Sequence, residues 1–176
     1  MKLTYQDLLE KMINMEMLAI SPEKGEMGGN FSSYDRNSSY DPSTDTYSQW
    51  GANRDCDGCI RMEKDRLVAF EMEGPGVIWR IWSANPQEGH IRIYTENEQK
   101  EKMDMPFRKL FERYAYDESR VEWPANFPEL MPILSRGRNR FIPIPFNHYC
   151  KVTLDPGWGE FYHITYTKFP SCVELP

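Results

Sequence analysis

Short apolar segments that alternate with polar residues follow one another through the C-terminal part of the chain. In one of them, Ile91 and Ile93 alternate with His90, Arg92 and Tyr94. Successive side chains of a strand point to opposite faces, so this period of two is typical of strands with one buried face. Turns rich in Gly, Pro or charge separate the segments RLVAFEME, GVIWRIWS, HIRIYT, RFIPIPF, CKVTLD and EFYHITYT. They predict an all-β fold, a β-sandwich or jelly roll.

The N-terminal part of the chain follows a helical period instead. Apolar side chains recur at three- and four-residue spacing over residues 4–19, which predicts an amphipathic helix. Thr4 and Asp7 have the spacing of a capping box, in which each side chain satisfies a free amide. We expect residues 1–22 to form an arm that docks on the sheet or on a neighbouring subunit. A second, short helical piece is predicted near residues 107–114.

Residues 24–60 are rich in Gly, Ser, Asn, Asp and Tyr and show no sustained period. A loop of this length inside a compact domain is usually functional or disordered. Its aromatic residues argue against disorder; they are Phe31, Tyr34, Tyr40, Tyr47 and Trp50. We therefore expect an ordered loop on the surface of the scaffold. Its acidic pieces suggest calcium, but their spacing does not match an EF-hand, which favours solvated turns. These pieces surround Asp41, Asp45, Asp55 and Asp57.

Composition narrows the classes of function. A chain of 176 residues fits one domain and can bury a core. Its net charge of −6 and its lack of a long basic run argue against nucleic acid or a membrane surface as the main partner. No apolar run approaches the roughly 20 residues that cross a bilayer. The N-terminal residues lack the apolar core of a signal peptide, so a cytoplasmic location is the default expectation.

The cysteines do not predict a metal site. Cys56 and Cys59 have the C-x-x-C spacing of zinc knuckles and redox motifs. A closed zinc site needs four ligands, usually a second such pair or two histidines. Cys150 and Cys172 are isolated, and the three histidines are scattered along the chain. We expect two incidental thiols in a loop, no metal and no cofactor.

Two acids precede a Gly-Pro-Gly turn in the stretch EMEGPGVIWRIWSA. Glu71 and Glu73 are two apart in a predicted strand, so their side chains share a face at roughly 6.5–7 Å. A retaining glycosidase places its carboxyls about 5–5.5 Å apart and an inverting one about 6.5–9.5 Å apart, so the spacing permits a catalytic pair. In the alternative interpretation, residues 74–76 form a tight turn and the glutamates face solvent or pair with Arg80.

Seven motifs in order carry a resemblance that extends well beyond this turn. They are FSSYDRNSSYDP, WGAN, LVAFEMEGPGVIWRIWSA, IRIYTENE, MPFRKLF, FIPIPFNHYCKVTL and FYHITYTKFP. Together they resemble the N-terminal half of glycoside hydrolase family 172, once called domain of unknown function 2961. The resemblance covers the chain from about Tyr5 to Pro170.

The resemblance implies a fold and an activity. Members of the family resemble α-D-fructofuranosidases, difructose-anhydride-processing enzymes and D-arabinofuranosidases, which act on furanosides with retention. Each member has two jelly-roll sandwiches and assembles into trimers or larger oligomers, with the active site near a subunit interface. Residues 23–176 would be the first jelly roll, and the second is absent from this chain. Both catalytic residues are glutamates of the missing part, so no catalytic residue is expected here. The exposed surface of a single roll implies self-association or association with a second half.

The long loop supplies the candidate substrate-binding residues. Tyr34, Asp35 and Arg36 offer a ring, an acceptor and a fork of donors, and Trp50 and Asn53 add a stacking face and an amide. Such groups can orient the hydroxyls of a furanoside at a site shared between subunits. In the alternative interpretation, a salt bridge between Asp35 and Arg36 pins the loop, with Tyr34 packed beneath it.

Three hypotheses of function follow from these patterns. The first is the N-terminal portion of a retaining furanoside-acting glycoside hydrolase, inactive alone. The second is a non-catalytic carbohydrate-binding or assembly module, favoured by the aromatic loop. The third is an enzyme that is active alone through Glu71 and Glu73. The expected partners are a furanoside and further protein subunits, with no nucleic acid and no membrane.

Overall fold

The structure, a computed structural model, describes residues 1–56, 58–97, 99–112 and 128–176. The helical elements are α1 (Tyr5–Ile13) and three 3-10 helices, Met15–Ala19, Phe107–Phe111 and Pro128–Leu130. The strands are β1 (Met27–Ser32), β2 (Ser39–Asp41), β3 (Thr46–Ser48), β4 (Arg61–Glu63), β5 (Arg66–Glu73), β6 (Gly76–Pro86), β7 (His90–Thr95), β8 (Met103–Pro106), β9 (Ile133–Leu134), β10 (Gly137–Arg140), β11 (Ile144–Phe146), β12 (Tyr149–Leu154) and β13 (Gly159–Lys168).

Two antiparallel sheets form a sandwich. One has the strand order β1-β13-β6-β10-β9, with β11 also paired to β6, and we call it the six-stranded sheet. The other has the order β4-β5-β12-β7-β8 and is the five-stranded sheet. Strands β2 and β3 form a separate hairpin. The predicted all-β sandwich with an N-terminal helix is confirmed, and its jelly-roll arrangement stays a prediction.

The inward side chains of both sheets meet in one hydrophobic core. Ile91 and Ile93 are fully buried, as their alternation predicts. Phe70 of the five-stranded sheet and Tyr162 of the six-stranded sheet are also fully buried in this core. Burial of a large apolar side chain contributes about 1.5–3 kcal/mol relative to exposure, so this interior is the main source of stability.

The N-terminal arm packs on the outer face of the six-stranded sheet. Leu8 and Val77 belong to a second hydrophobic cluster, whereas the neighbouring Ile78 belongs to the core. The capping box between Thr4 and Asp7 is confirmed by hydrogen bonds in both directions. The continuous helix predicted over residues 4–19 is shorter in the structure.

Asn14 divides this predicted helix into two pieces. The helix α1 ends at Ile13, and the side chain of Asn14 accepts a hydrogen bond from the amide of Glu16. A 3-10 helix starts there, because a local side-chain acceptor offers the backbone an alternative to α-helical bonding. The piece predicted near residues 107–114 is a 3-10 helix at Phe107–Phe111, and residues 113 and 114 lie outside the described residues.

Residues 24–60 are not the continuous loop that their composition predicts. They contain β1, which pairs along its full length with β13, and the hairpin of β2 and β3. Phe31 packs edge-to-face on Phe70, with ring centroids 5.1 Å apart, so β1 contributes to the core. The prediction missed β1 because its glycines and serine hide the period of two. No helix in the described ranges is long and apolar enough to span a membrane.

Residues 74–76 carry the chain from one sheet to the other. Strand β5 ends at Glu73 in the five-stranded sheet, and β6 starts at Gly76 in the six-stranded sheet. The turn between them contains a cis Gly74-Pro75 peptide bond. The predicted pairing of Arg80 with the glutamates is therefore wrong, because the two strands lie in different sheets.

Docking of the N-terminal arm on the sheet should contribute to the free energy of unfolding. Leu8→Ala is expected to lower the free energy of unfolding by about 2–5 kcal/mol, because Leu8 is fully buried. Ile13→Ala on the same helix is the matched control, since Ile13 is 74% exposed, and it should change stability by less than about 0.5 kcal/mol. Urea denaturation followed by circular dichroism measures both. Equal effects of the two substitutions would contradict the docked arm.

Candidate functional site

The carboxylate of Asp35 closes the loop that follows β1. It accepts hydrogen bonds from the backbone amides of Asn37 and Arg54, each at 3.0 Å. The amide of Asp35 in turn donates to Oδ1 of Asp55, also at 3.0 Å. These backbone hydrogen bonds lower the pKa of Asp35, with the bond from Asn37 as the largest cause. Asp35 thus joins the two ends of the loop that carries the hairpin.

Arg36 holds the same loop through carbonyl oxygens. Its guanidinium donates to the carbonyls of Tyr34 at 3.1 Å and Ser32 at 3.0 Å. The guanidinium carbon lies 4.3 Å from the centre of the Tyr34 ring. The salt bridge predicted between Asp35 and Arg36 is not formed, because each side chain binds backbone groups instead. Tyr34 is 52% exposed and does not pack beneath the loop.

Gly58 connects the loop to the core. Its carbonyl accepts a hydrogen bond from the hydroxyl of Tyr162 at 3.1 Å, and its amide donates to the carbonyl of Ser33 at 3.2 Å. Burial raises the pKa of Tyr162 to about 12, so this phenol remains a donor at neutral pH. A Cβ atom at residue 58 would lie 1.8 Å from the carbonyl oxygen of Tyr34. Only glycine allows this close approach of the two backbone segments.

The loop leaves an open cavity and an exposed aromatic surface. A cavity of about 340 Å³ is lined by Asp35, Arg36, Asn37, Arg54, Gly58 and Cys59. Trp50 is 84% exposed and does not line this cavity, and Asn53 is also exposed. The rings of Tyr40 and Tyr47 lie 5.1 Å apart on the hairpin of β2 and β3. The structure therefore brings Tyr34, Asp35 and Arg36 together and leaves Trp50 and Asn53 on the solvent side.

The sequence interpretation missed two backbone partners of Asp35 and the pairing of two aromatic rings in the same loop. Asn37 and Arg54 bind Asp35 through their amides, and Tyr40 and Tyr47 pair across the hairpin. The pattern Asp-x-Asn after β1 is typical of an Asx turn and could have indicated Asn37. No such local pattern indicates the contact between the amide of Arg54 and Asp35, because the two residues are distant in sequence.

The acidic turns and the C-x-x-C pair have local partners. Asp41 accepts hydrogen bonds from the amide and hydroxyl of Ser43, which is the turn that was predicted. Cys56 and Cys59 form no disulfide, and burial raises the pKa of the Cys59 thiol. The part of the chain that the structure describes contains no cluster of three metal-ligating side chains. Asp57 lies outside the described residues.

Glu71 lies in an ion-pair network on the outer face of the five-stranded sheet. Its Oε1 accepts hydrogen bonds from the hydroxyl of Tyr149 at 2.7 Å and from Arg61 at 2.9 Å. Arg61 also contacts Oε2 of Glu71, and it pairs with Glu63. Lys151 lies directly opposite Glu71 in the sheet and pairs with Glu63 at 3.2 Å. The hydrogen bond from Arg61 is the largest cause that lowers the pKa of Glu71 to about 2.

This network favours a structural role for the two glutamates. A general acid must hold its proton near neutral pH, whereas Glu71 is ionised there. Both of its oxygens already accept hydrogen bonds, which leaves it poorly placed to attack a substrate. Glu73 is exposed at the end of β5. The geometry supports the interpretation of residues 71–76 as the approach to a corner between sheets.

A comparison with protein families assigns the chain. The model of the GH172 first beta-sandwich domain matches residues 24–176. The chain therefore belongs to the GH172 family of glycoside hydrolases. The resemblance carried by the seven motifs is confirmed, and so is the β-sandwich class. No curated protein gives a significant match to the chain.

The close approach at Gly58 predicts a strong effect of one added methyl group. Gly58→Ala should destabilise the protein by roughly 1–3 kcal/mol, because the new Cβ overlaps the Tyr34 carbonyl. Gly51→Ala is the matched control in the same loop, since no atom lies within 4 Å of its Cβ position. Thermal unfolding and limited proteolysis of the loop measure the effect. Equal tolerance of both substitutions would show that the loop is not held against the core.

Glu71 predicts a definite pH dependence of stability. The unfolded chain takes up a proton at this group near pH 4.5 and the folded chain only near 2, so wild-type stability should fall as the pH drops between these values. Glu71→Gln should cost about 1–3 kcal/mol at pH 7 and should flatten this fall. The matched control Glu73→Gln should change stability by less than about 0.5 kcal/mol. Urea titrations from pH 7 to 2 test this, and an unchanged profile for Glu71→Gln would contradict it.

Proposed function

We propose that this chain is the N-terminal β-sandwich of a retaining, furanoside-acting glycoside hydrolase of the fructofuranosidase or arabinofuranosidase type. It supplies scaffold and sugar contacts, and it is inactive alone because the catalytic glutamates belong to a second half. Membership of the GH172 family supports the glycosidase class. One observation carries the assignment of catalysis to the second half: Glu71 already accepts hydrogen bonds from Arg61 and Tyr149.

The chemistry of a retaining enzyme explains why this observation matters. One carboxylate attacks the anomeric carbon while a carboxylic acid protonates the leaving oxygen, and the second group then activates water. The acid needs a raised pKa so that it holds its proton. Among the described residues, every carboxyl with a clear pKa shift is shifted downward; these are Asp7, Asp35, Asp41, Glu63, Glu71 and Glu174.

The long loop has two groups of side chains with different roles in this proposal. Asp35 and Arg36 hold the loop in shape, since both are engaged with backbone groups. Tyr34, Trp50 and Asn53 are exposed and contact the furanoside. A ring face covers the apolar side of a sugar, and an amide binds its hydroxyls.

Exposed apolar side chains on edge strands support association with a second half or another copy. The strands β1 and β9 form the two edges of the six-stranded sheet. Met27 of β1 is 54% exposed, and Ile133 and Leu134 of β9 are 62% and 60% exposed. Edge strands that display apolar side chains are ready to pair with another chain.

A non-catalytic carbohydrate-binding or assembly module is the second candidate function. The paired rings of Tyr40 and Tyr47, together with Trp50, favour it because all three are exposed on one loop. Such a module binds sugar without turnover even when the rest of the enzyme is present.

An assay with an aryl furanoside tests the proposal. The chain alone should bind the compound without turnover, and Trp50→Ala should weaken binding roughly tenfold, since a stacked ring contributes on the order of 1–1.5 kcal/mol. Ile13→Ala is the control, because it removes an exposed apolar side chain of α1, outside both the loop and the edge strands. Isothermal titration calorimetry measures binding, and release of the aryl group measures turnover.

Turnover by the chain alone that Glu71→Gln abolishes would overturn the scaffold role. Full-length enzyme that binds but never turns over furanosides would favour the module.

A further inference from the structure

A polar and aromatic row crosses the outer face of the six-stranded sheet. Pairing places Ser32 of β1 opposite His163 of β13, His163 opposite Trp82 of β6, and Trp82 opposite Asn139 of β10. The residues on either side of His163 are the core side chains of β13, so His163 points away from the core. This row is separate from the Glu71 network, and it meets the loop only at Ser32, whose carbonyl accepts from Arg36.

Arg80 adds a positive charge to this row and has no acidic partner among the residues that the structure describes. Its Nε donates to Oδ1 of Asn139 at 2.9 Å. The guanidinium carbon lies 5.9 Å from the centre of the Trp82 ring and 5.7 Å from that of Phe141. No carboxylate of the described residues forms an ion pair with it, and burial lowers its pKa. A half-buried cation without a counter-ion among the described residues is costly, and an anionic ligand would supply the missing charge.

The guanidinium is held in place before any ligand binds. Asn139, which accepts from Nε, is 3% exposed, and its own amide donates to the carbonyls of Pro132 and Gly137. Trp82 fits beside β10 only because residue 137 is glycine; a Cβ there would lie 2.1 Å from the indole nitrogen. The two terminal nitrogens of Arg80 therefore remain as a fixed fork, which matches the planar geometry of a carboxylate.

Asn30 sets the hydrogen-bonding state of the neighbouring imidazole. Its amide nitrogen lies 3.1 Å from Nδ1 of His163. An amide nitrogen only donates, so Nδ1 accepts and the neutral ring carries its proton on Nε2. The imidazole packs edge-to-face on Trp82, with ring centres 5.1 Å apart. The face thus presents a cationic fork, a neutral donor and an indole ring side by side.

We propose that Arg80, Trp82 and His163 form a binding site for a carboxylate-bearing saccharide, such as a uronic acid residue. The carboxylate binds the fork of Arg80, the sugar ring lies against Trp82, and His163 donates to a hydroxyl. A neutral sugar would leave the charge of Arg80 uncompensated, which is why an acidic sugar fits this face better. The saccharide class is consistent with the glycoside hydrolase family. The site is additional to the furanoside contacts of the loop.

Titration calorimetry of the full chain with defined probes tests this site. Glucuronate and galacturonate should bind, whereas glucose, galactose, acetate and inorganic phosphate should bind at least roughly tenfold more weakly. Arg80→Gln should reduce uronate affinity by roughly tenfold or more, because it removes the charged fork. The matched control is Arg108→Gln, since the Arg108 side chain is 41% exposed and pairs with Glu88 and Glu112.

Further variants keep the outcome decisive. If Arg80→Gln does not fold by circular dichroism, Arg80→Lys retains the charge without the fork and should still lose most uronate affinity. Trp50→Ala should leave uronate binding unchanged, so failure at this site and failure of the loop proposal are distinguishable. Absence of uronate binding would overturn the inference, and so would equal binding of acidic and neutral sugars. Tighter binding of phosphate than of uronate would contradict the carboxylate assignment.

Discussion

The crossing of the chain between its two sheets is the constraint on which the remaining structure depends. The amide of Gly74 donates to the carbonyl of His148 at 2.8 Å, and the amide of Phe169 donates to the carbonyl of Pro75 at 2.9 Å. A Cβ atom at Gly74 would lie 2.6 Å from the carbonyl oxygen of Asn147, and one at Gly76 would lie 2.6 Å from the ring of Phe146. These contacts leave room only for glycine, and they fix which residues enter each sheet.

This crossing separates charges that are close in sequence. Glu71 remains in the five-stranded sheet, where Arg61 compensates its charge and Tyr149 donates a hydrogen bond to it. Arg80 enters the six-stranded sheet, where Asn139 supplies a neutral partner. The two outer faces therefore differ: the network around Glu71 pairs its acids with bases, whereas Arg80 has no acidic partner among the described residues. An internally balanced network suits a scaffold, and an unbalanced, rigid cation suits recognition of an anion.

The loop after β1 follows the same division between support and recognition. The side chains of Asp35 and Arg36 bind backbone groups of the loop, and Gly58 lets the loop approach the core. Trp50 is exposed, and the exposed ring of Tyr34 contacts the guanidinium of Arg36. A loop positioned by a rigid β-sandwich is a common place for ligand contacts, since the scaffold supplies the order that the loop lacks by itself.

Local patterns in the sequence determined the capping box at Thr4, the corner at residues 74–76 and six of the strands, because period, cap and turn chemistry depend on neighbouring residues. The six strands are β5, β6, β7, β11, β12 and β13. The residue types in the loop predicted five site residues but did not distinguish supporting residues from binding residues. Only the folded loop defines the backbone partners of Asp35 and Arg36. Strand β1 escaped prediction because its glycines and serine hide the period of two, and only the folded chain brings it beside β13. Tertiary structure alone decided the partner of Glu71, and it alone left Arg80 without an acid beside it in the described part of the chain. Pairing across a sheet joins residues that are distant in sequence, and no local pattern specifies which of them will meet.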